Sequence, residues 1–174
     1  EGFGSEEAIR KGKGELFEYL KQHNGTAFIM QDLDYLPDMA KGIKNIVTYG
    51  THHATVCGQV KNSHDLLEVA ITAGANINSI QTKLVGAYNL SNVLLAVAVG
   101  KHFSVPDEKI KQSLENYEPT NSRSQLLQKD GNKIILDAYN ANPTSMKAAI
   151  ENFAAMDVTH KILILGGMME LGNE

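Results

Sequence analysis

The sequence lacks the features that mark several classes of protein. Its single cysteine, Cys57, excludes an internal disulfide and suits a reducing cytosol. Its longest apolar run, VLLAVAV at 93–99, is far shorter than the ~20 residues that a membrane-spanning helix needs. A net charge of −4 argues against a general nucleic-acid surface. We therefore expect a cytoplasmic protein with no membrane span and no nucleic-acid partner.

What remains is the composition of an ordinary globular protein, with 43% hydrophobic and 21% charged residues. The 174 residues suffice for one sizeable core or two small ones. The sequence opens with EGFGS, without a methionine, and stops soon after KILILGG, a strand-like run that no helix follows. We therefore expect the chain to be a piece of a longer protein.

The residues before position 118 have the patterns of a domain that contains both helices and strands. Ser5 and the two glutamates after it predict the start of a helix that runs to about Gln22, because acidic residues stabilise the positive end of a helix. Apolar runs predict strands at 26–30, 45–50, 66–72 and 75–84. Further helices are predicted at 88–103 and 105–117.

A second unit is expected after the run EPTNSRSQ at 118–125. Its proline, asparagine and serine residues are typical of a linker. We therefore place the two domains at 1–118 and 119–174.

The second unit begins with a hairpin and continues with a helix. Asp130-Gly131 is a strong turn dipeptide between two apolar runs, and Pro143 after Asn142 predicts a helix start. The apolar run at 161–167 predicts a strand inside a parallel sheet. Strand, helix and strand in this order indicate an α/β fold.

Lys13 lies at an unexpected position on the first helix. At ~100° per residue it falls within the apolar stripe of Ile9, Leu16, Phe17 and Leu20. One explanation is that its stem follows the apolar surface while the ammonium reaches water, and helical geometry alone favours this one. The other is that the lysine is enclosed, as a perturbed amine or a modified ligand.

Polar side chains crowd the stretch LDAYNANPTSM at 136–146, at the end of a predicted strand. Open α/β sheets bind ligands at the carboxyl ends of parallel strands, and Asp137 lies at such an end if its strand is parallel to its neighbours. A carboxylate there can accept both hydroxyls of a ribose. Together with Tyr139 and Asn140, Asp137 forms a candidate ligand site, whereas helix capping suffices to explain Asn142.

Three further residues are candidates for nucleotide contacts. Asn89 and Asn92 lie three apart at a helix start, where amides can read the edge of a heterocycle, although capping explains one of them equally well. Arg123 could reach a phosphate across a domain cleft, although an isolated arginine is usually only solvated. The sequence contains no GxxxxGK[ST] motif and so carries no phosphate-binding loop of that type.

Taken in order, five segments resemble the Mur ligases: EGFGSEEAIRKGKGELF, LVGAYNLSNVLLAVAVG, NSRSQ, LDAYNANPTSM and ILGGMMELG. The resemblance covers nearly the whole chain and is weakest over 33–75. Within the family, YNANPTSM followed by MELG resembles the members that join D-alanyl-D-alanine to a UDP-N-acetylmuramoyl tripeptide. The resemblance implies the back part of a central ATPase domain followed by the first half of a Rossmann-like C-terminal domain.

The resemblance also implies an activity in peptidoglycan precursor synthesis. The substrates would be UDP-N-acetylmuramoyl-tripeptide and D-alanyl-D-alanine, with ATP and Mg²⁺, and the full-length enzyme would be a monomer. ATP would phosphorylate the tripeptide carboxylate, and the amine of D-alanyl-D-alanine would attack the acyl phosphate. Because the family's phosphate-binding loop and uridine-nucleotide domain are absent from these 174 residues, we expect them to be inactive alone.

The family's site residues carry over by position. Relatives carry a lysine at the Lys13 position that becomes a carbamate, an anionic oxygen ligand suited to magnesium, and this favours the functional explanation of Lys13. The other implied contacts are Asn89 and Asn92 near the adenine, Arg123 at the phosphates, Asp137 at the ribose, and Tyr139, Asn140 and Asn142 where the C-terminal domain closes over nucleotide and acceptor.

Two positions depart from the family pattern. Tyr88 stands where many relatives have histidine, and Gly167 stands where they usually have aspartate. One alternative is that the protein is a sister ligase with another acceptor, such as a folylpolyglutamate synthase. The motif YNANPTSM argues against this alternative. A non-catalytic nucleotide-binding or scaffold module is an alternative of a different class.

Overall fold

The chain folds into a five-stranded mixed sheet, a two-stranded hairpin and the helices that accompany them. The computed structural model describes residues 6–120 and 122–168. The strands of the larger sheet are β1 (Thr26–Met30), β2 (Asn45–Gly50), β3 (Val56–Asn62), β4 (Glu68–Ala73) and β5 (Ser79–Gln81). They lie in sequence order; β1, β2 and β3 are parallel, and β4 and β5 are antiparallel to their neighbours.

The predicted helices are confirmed, with small shifts at their ends. The helices are α1 (Glu6–Gln22), a short α2 (Tyr35–Met39) that was not predicted from the sequence, α3 (Leu90–His102), α4 (Asp107–Asn116) and α5 (Pro143–Ala155). A 3₁₀ turn at Ala87–Asn89 leads into α3. Within the described ranges, no helix combines the length and the apolar character that crossing a bilayer requires.

The main core lies between α3 and the larger sheet. Val93, Leu94, Val97 and Ala98 of α3 are buried, which explains why this helix is apolar around most of its surface. Gly58 of β3 permits the close approach, because a Cβ there would lie 2.7 Å from Leu94 Cδ2 and 2.7 Å from the carbonyl oxygen of residue 70. The strands contribute Val56, Val69, Ile71 and Ile80, the residue before β4 contributes Leu67, and α4 contributes Ile110.

The apolar stripe of α1 is only half covered. Phe17 and Leu20 pack against a small buried cluster formed by Ala27, Ile29, Ala40 and Ile43. The side chains of Ile9 and Leu16, in contrast, are 40% and 60% exposed. Lys13 is exposed as well, so the expectation that it lies on a buried face is wrong for the described part of the chain. The elements that pack near α1 here cover only the end of the stripe that carries Phe17 and Leu20.

The hairpin and the helix after it form as predicted. The strands are β6 (Gln125–Lys129) and β7 (Asn132–Leu136), paired antiparallel. Asp130 and Gly131 both have positive φ, 50° and 76°, as a two-residue hairpin turn requires. Asn142 caps α5, since its Oδ1 accepts a hydrogen bond from the backbone N–H of Ser145 at 2.9 Å.

One strand prediction is wrong, and another is wrong in part. The run at 161–167 forms no strand, and Ile162 and Ile164 are 83% and 91% exposed, because β7 pairs with β6 and the run has no strand partner among the described residues. The strand predicted at 75–84 shrinks to β5. Thr82 ends it, because its hydroxyl donates to the carbonyl oxygen of Leu67 at 2.8 Å and accepts from the backbone N–H of Leu84 at 3.2 Å.

The main core predicts a large effect of truncation at Leu67. Leu67 is fully buried, so Leu67→Ala should lower the free energy of unfolding by about 2–5 kcal/mol through lost burial and a residual cavity. Urea unfolding followed by circular dichroism measures this change. Leu16→Ala is the matched control, because Leu16 is 60% exposed and should lose well under half as much. Equal losses for both variants would contradict the assignment of the core.

Candidate functional site

A small cavity lies at the carboxyl ends of the first two parallel strands. Its volume is about 190 Å³, and it opens between the ends of β1 and β2 and the start of α3. Carboxyl ends of parallel strands are the usual ligand-binding edge of α/β sheets. We call it the strand-end cavity; its lining includes Met30, Asp32, Tyr49, Thr51, Tyr88 and Ser91.

Asp32 and Thr51 form the polar wall of this cavity. The Thr51 backbone N–H lies 3.1 and 2.9 Å from the two Asp32 carboxylate oxygens, and the Thr51 hydroxyl donates to Oδ1 at 3.1 Å. Gly50 leaves room for this contact, because a Cβ there would lie 2.8 Å from Asp32 Oδ1. Neither residue was predicted from the sequence, although the position of Asp32 just beyond β1 is the same signal that indicated Asp137.

Asn89 and Asn92 meet at the start of α3. Asn89 donates from Nδ2 to the carbonyl oxygen of Val85 at 2.9 Å, and Asn92 donates from Nδ2 to Asn89 Oδ1 at 2.9 Å. Asn89 is the N-cap residue of α3, but its side chain makes no capping hydrogen bond. The two amides therefore fix each other and the turn before the helix. They directly follow Tyr88 and Ser91, which line the strand-end cavity, but neither asparagine is itself a lining residue.

Asp137 is connected to this helix start through two hydroxyl groups. Ser124 Oγ lies 2.6 Å from the Tyr88 hydroxyl oxygen and donates to Asp137 Oδ2 at 3.2 Å. Asp137 directly follows β7 and is exposed, as predicted for a strand end, although its strand is antiparallel to β6 rather than part of a parallel sheet. We call this arrangement the Tyr88–Ser124–Asp137 chain.

The environment of Tyr88 favours the neutral phenol. Burial is the main cause that raises the pKa of Tyr88 above its ordinary value, and the negative charge of Asp137 acts in the same direction. Tyr88 therefore remains protonated, and able to donate a hydrogen bond, throughout the neutral pH range.

Arg123 and Tyr139, which respectively directly precede Ser124 and closely follow Asp137 in the sequence, contact each other. The Arg123 guanidinium carbon lies 3.9 Å from the centre of the Tyr139 ring, a cation–π distance. The backbone N–H of Ala138 donates to the carbonyl oxygen of Ser122 at 2.8 Å, which holds the linker against the end of β7. Arg123 and Asp137 are thus brought to the same end of the hairpin.

The remaining predicted residues are placed apart from this group or occupied locally. Asn140 accepts a hydrogen bond from the Ala141 backbone N–H at 2.9 Å, and Asn142 caps α5. Lys13 lies exposed on α1 and, within the described ranges, makes no hydrogen bond with any other predicted site residue. Ser124 was not singled out from the sequence, because nothing distinguishes it there from Ser122, the other serine of the linker.

Two family descriptions match the chain. Residues 1–100 match the Mur ligase middle domain, and residues 122–174 match the glutamate ligase domain of the Mur ligases. The two matched ranges lie on either side of the segment 101–121.

Individual relatives and solved structures agree with these matches. A UDP-N-acetylmuramoyl-tripeptide--D-alanyl-D-alanine ligase of Bacillus subtilis is 33% identical over 172 residues, covering 98% of this chain and 37% of that protein. MurF from Acinetobacter baumannii has a TM-score of 0.76 at 25% identity, covering 89% of this chain and 34% of its own. MurF ligase from Thermotoga maritima in complex with ADP has the same fold, with a TM-score of 0.71 at 20% identity, covering 87% of this chain and 35% of its own.

The chain therefore spans only about a third of the length of these relatives. The family assignment does not depend on that share, because the middle-domain match alone, residues 1–100, covers more than half of the 174 residues. This α/β chain belongs to the Mur ligase family and has the fold of parts of its middle and C-terminal domains.

Proposed function

We propose that the full-length protein is an ATP-dependent ligase that joins D-alanyl-D-alanine to UDP-N-acetylmuramoyl-tripeptide in the cytoplasm. The Bacillus subtilis relative bears this activity in its name, and the match extends across both family domains. The structural observation that carries the proposal is the Tyr88–Ser124–Asp137 chain. It joins the helix start that holds Asn89 and Asn92 to the strand end that holds Asp137.

In this proposal, residues 1–118 and 119–174 are the parts of two domains that share one nucleotide. Asn89 and Asn92 contact the adenine beside the strand-end cavity, Asp137 accepts the ribose hydroxyls, and Arg123 supplies positive charge to the phosphates. The linker acts as a hinge that completes the site when the domains close. The Thermotoga MurF structure of the same fold was solved with ADP, which supports a nucleotide as the ligand.

The proposed reaction has two chemical steps. The tripeptide carboxylate attacks the terminal phosphorus of ATP, giving an acyl phosphate and releasing ADP. The amine of D-alanyl-D-alanine then attacks the acyl carbon, and the tetrahedral intermediate collapses to the amide, phosphate and one proton. Tyr139, Asn140 and Asn142 follow Asp137 in the sequence beyond β7, and Tyr139 contacts Arg123. In this proposal they contact nucleotide or acceptor as the site closes.

A magnesium ion is not accommodated by the described residues alone. No group of three histidine, cysteine, aspartate or glutamate side chains lies close enough together within 6–120 and 122–168 to hold a metal ion. Lys13, as a carbamate, would supply at most two oxygen ligands, and magnesium prefers six. The other ligands must come from elsewhere in the full-length protein, the phosphates or water.

The first test concerns the carboxylate of Asp137. In the full-length enzyme, Asp137→Asn keeps the shape of the side chain but removes its charge, so the KM for ATP should rise about 10-fold or more. The KM for UDP-N-acetylmuramoyl-tripeptide should stay within about twofold. Steady-state kinetics with each substrate varied in turn measure both values.

Asp130→Asn is the matched control for this test. Asp130 lies in the hairpin turn at φ 50°, a conformation that asparagine also adopts readily. It should leave both KM values unchanged. An unchanged KM for ATP in Asp137→Asn would contradict the placement of the ribose at Asp137.

The second test concerns Lys13. If the lysine carries a carbamate that binds magnesium, Lys13→Ala should lower ligase activity by about 100-fold or more, since several kcal/mol of charge stabilisation are lost. Added acetate or formate should restore part of the activity by replacing the missing carboxylate-like group. Lys11→Ala, which removes an exposed lysine from the same helix, should be nearly neutral. Near-normal activity of Lys13→Ala without any additive would refute the carbamate.

A further inference from the structure

The hydrogens of the Tyr88–Ser124–Asp137 chain can be assigned from its acceptors. An ionised carboxylate accepts hydrogen bonds but donates none, so the Ser124 hydroxyl must donate to Asp137 Oδ2 across their 3.2 Å contact. A serine hydroxyl has one hydrogen. The 2.6 Å contact between Tyr88 and Ser124 therefore requires the Tyr88 phenol to be the donor. The chain runs in one direction, from the phenol to the carboxylate.

The backbone around both hydroxyl groups fixes their positions. Gly86 has φ 93° and ψ 138°, a conformation that glycine alone adopts readily, and a Cβ there would lie 2.3 Å from Tyr88 Cε1. The Tyr88 ring therefore folds over a residue that has no side chain. Ser124 has φ 50° and is buried, so its hydroxyl is directed by an uncommon backbone conformation.

The chain leaves one oxygen of the carboxylate open. Ser124 bonds to Oδ2 of Asp137, and Oδ1 has no hydrogen-bond partner among the described residues. Because Asp137 is an exposed residue, Oδ1 can accept further hydrogen bonds. A ligand with two adjacent hydroxyl groups fits this arrangement, since one can bond to Oδ1 and the other to the remaining lone pair of Oδ2.

We propose that Tyr88 is a positioning residue for the ribose of the nucleotide, acting through Ser124 to hold the Asp137 carboxylate toward the two ribose hydroxyls. This inference rests on the proposed function, since it takes the ribose as the ligand of Asp137. Tyr88 lies before the linker and Asp137 lies beyond it. The Tyr88 phenol would therefore support a ribose contact that is made by the other domain.

The test is to compare ATP with dideoxy-ATP, which lacks both ribose hydroxyls, in the full-length enzyme. Loss of one hydrogen bond in Tyr88→Phe should weaken ATP binding by about 3- to 10-fold. Binding of dideoxy-ATP should change by less than about twofold, because the supported contact is already missing. The rate at saturating ATP should remain close to that of the wild type. Isothermal titration calorimetry gives the dissociation constants, and steady-state kinetics give the rate.

A purely structural role of Tyr88 would give a different result. If Tyr88→Phe weakened both nucleotides equally, or neither, the positioning role would be overturned. Tyr117→Phe is the matched control, because it removes the hydroxyl of a tyrosine that is 50% exposed at the end of α4, and it should bind both nucleotides like the wild type.

Ser124→Gly provides a second, independent variant. Glycine keeps the positive φ of this position without strain and removes the hydroxyl, so this variant should reproduce the selective loss of ATP affinity. The double variant Tyr88→Phe with Ser124→Gly should lose no more than the worse single variant, since both break the same chain. Additive losses would overturn the proposal.

Asp137→Asn distinguishes this inference from the proposed function. If Asp137→Asn does not reduce the preference for ATP over dideoxy-ATP, the ribose site itself is wrong and the role of Tyr88 is overturned with it. If Asp137→Asn reduces the preference for ATP over dideoxy-ATP and Tyr88→Phe does not, the ribose site at Asp137 is supported and only the positioning role of Tyr88 is overturned.

Discussion

The packing of α3 on the larger sheet is the constraint on which the rest of the structure depends. The helix buries Val93, Leu94 and Val97 against the strands, and its length and direction are set by that contact. Its first turn must then lie beside the carboxyl ends of β1 and β2, where the strand-end cavity opens. Tyr88, Asn89 and Asn92 occupy this end of the helix for the same reason. A core interaction without any polar group thus determines where the polar groups of the site stand.

The contrast between local and distant determinants explains which parts of the fold could be predicted from the sequence. The hairpin turn at Asp130 and Gly131 and the cap at Asn142 are decided within a few residues, and both form as predicted. The run at 161–167 is different, because apolar character indicates a need for burial but does not supply a partner strand. The end of β5 also escaped prediction, since it depends on a hydrogen bond from Thr82 to Leu67, fifteen residues away.

The candidate site was predictable only where a residue type carried its own signal. Asp137 could be found because a carboxylate at a strand end is a recognisable pattern, and Asp32 could have been found in the same way. Ser124 could not, because its importance comes from a positive φ and from two partners at positions 88 and 137, neither of which a linker sequence reveals. Lys13 shows the opposite case: its position in an apolar stripe was recognisable, but half of that stripe is exposed in the described structure.

The strength of the contacts between the two halves bears on how a shared nucleotide site would work. Among the described residues, two polar contacts join the second unit to the five-stranded half: the hydrogen bond between Tyr88 and Ser124, just before the hairpin, and the ion pair between Lys133 and Asp65 at 3.3 Å. The ion pair is exposed and contributes little, and a hydrogen bond contributes about 0.5–1.5 kcal/mol. Such contacts can select an arrangement without holding it rigidly. The binding energy of a ligand that touches both halves exceeds them easily, so the nucleotide itself would set the closed geometry, and the Tyr88–Ser124–Asp137 chain would orient the carboxylate before the ligand arrives.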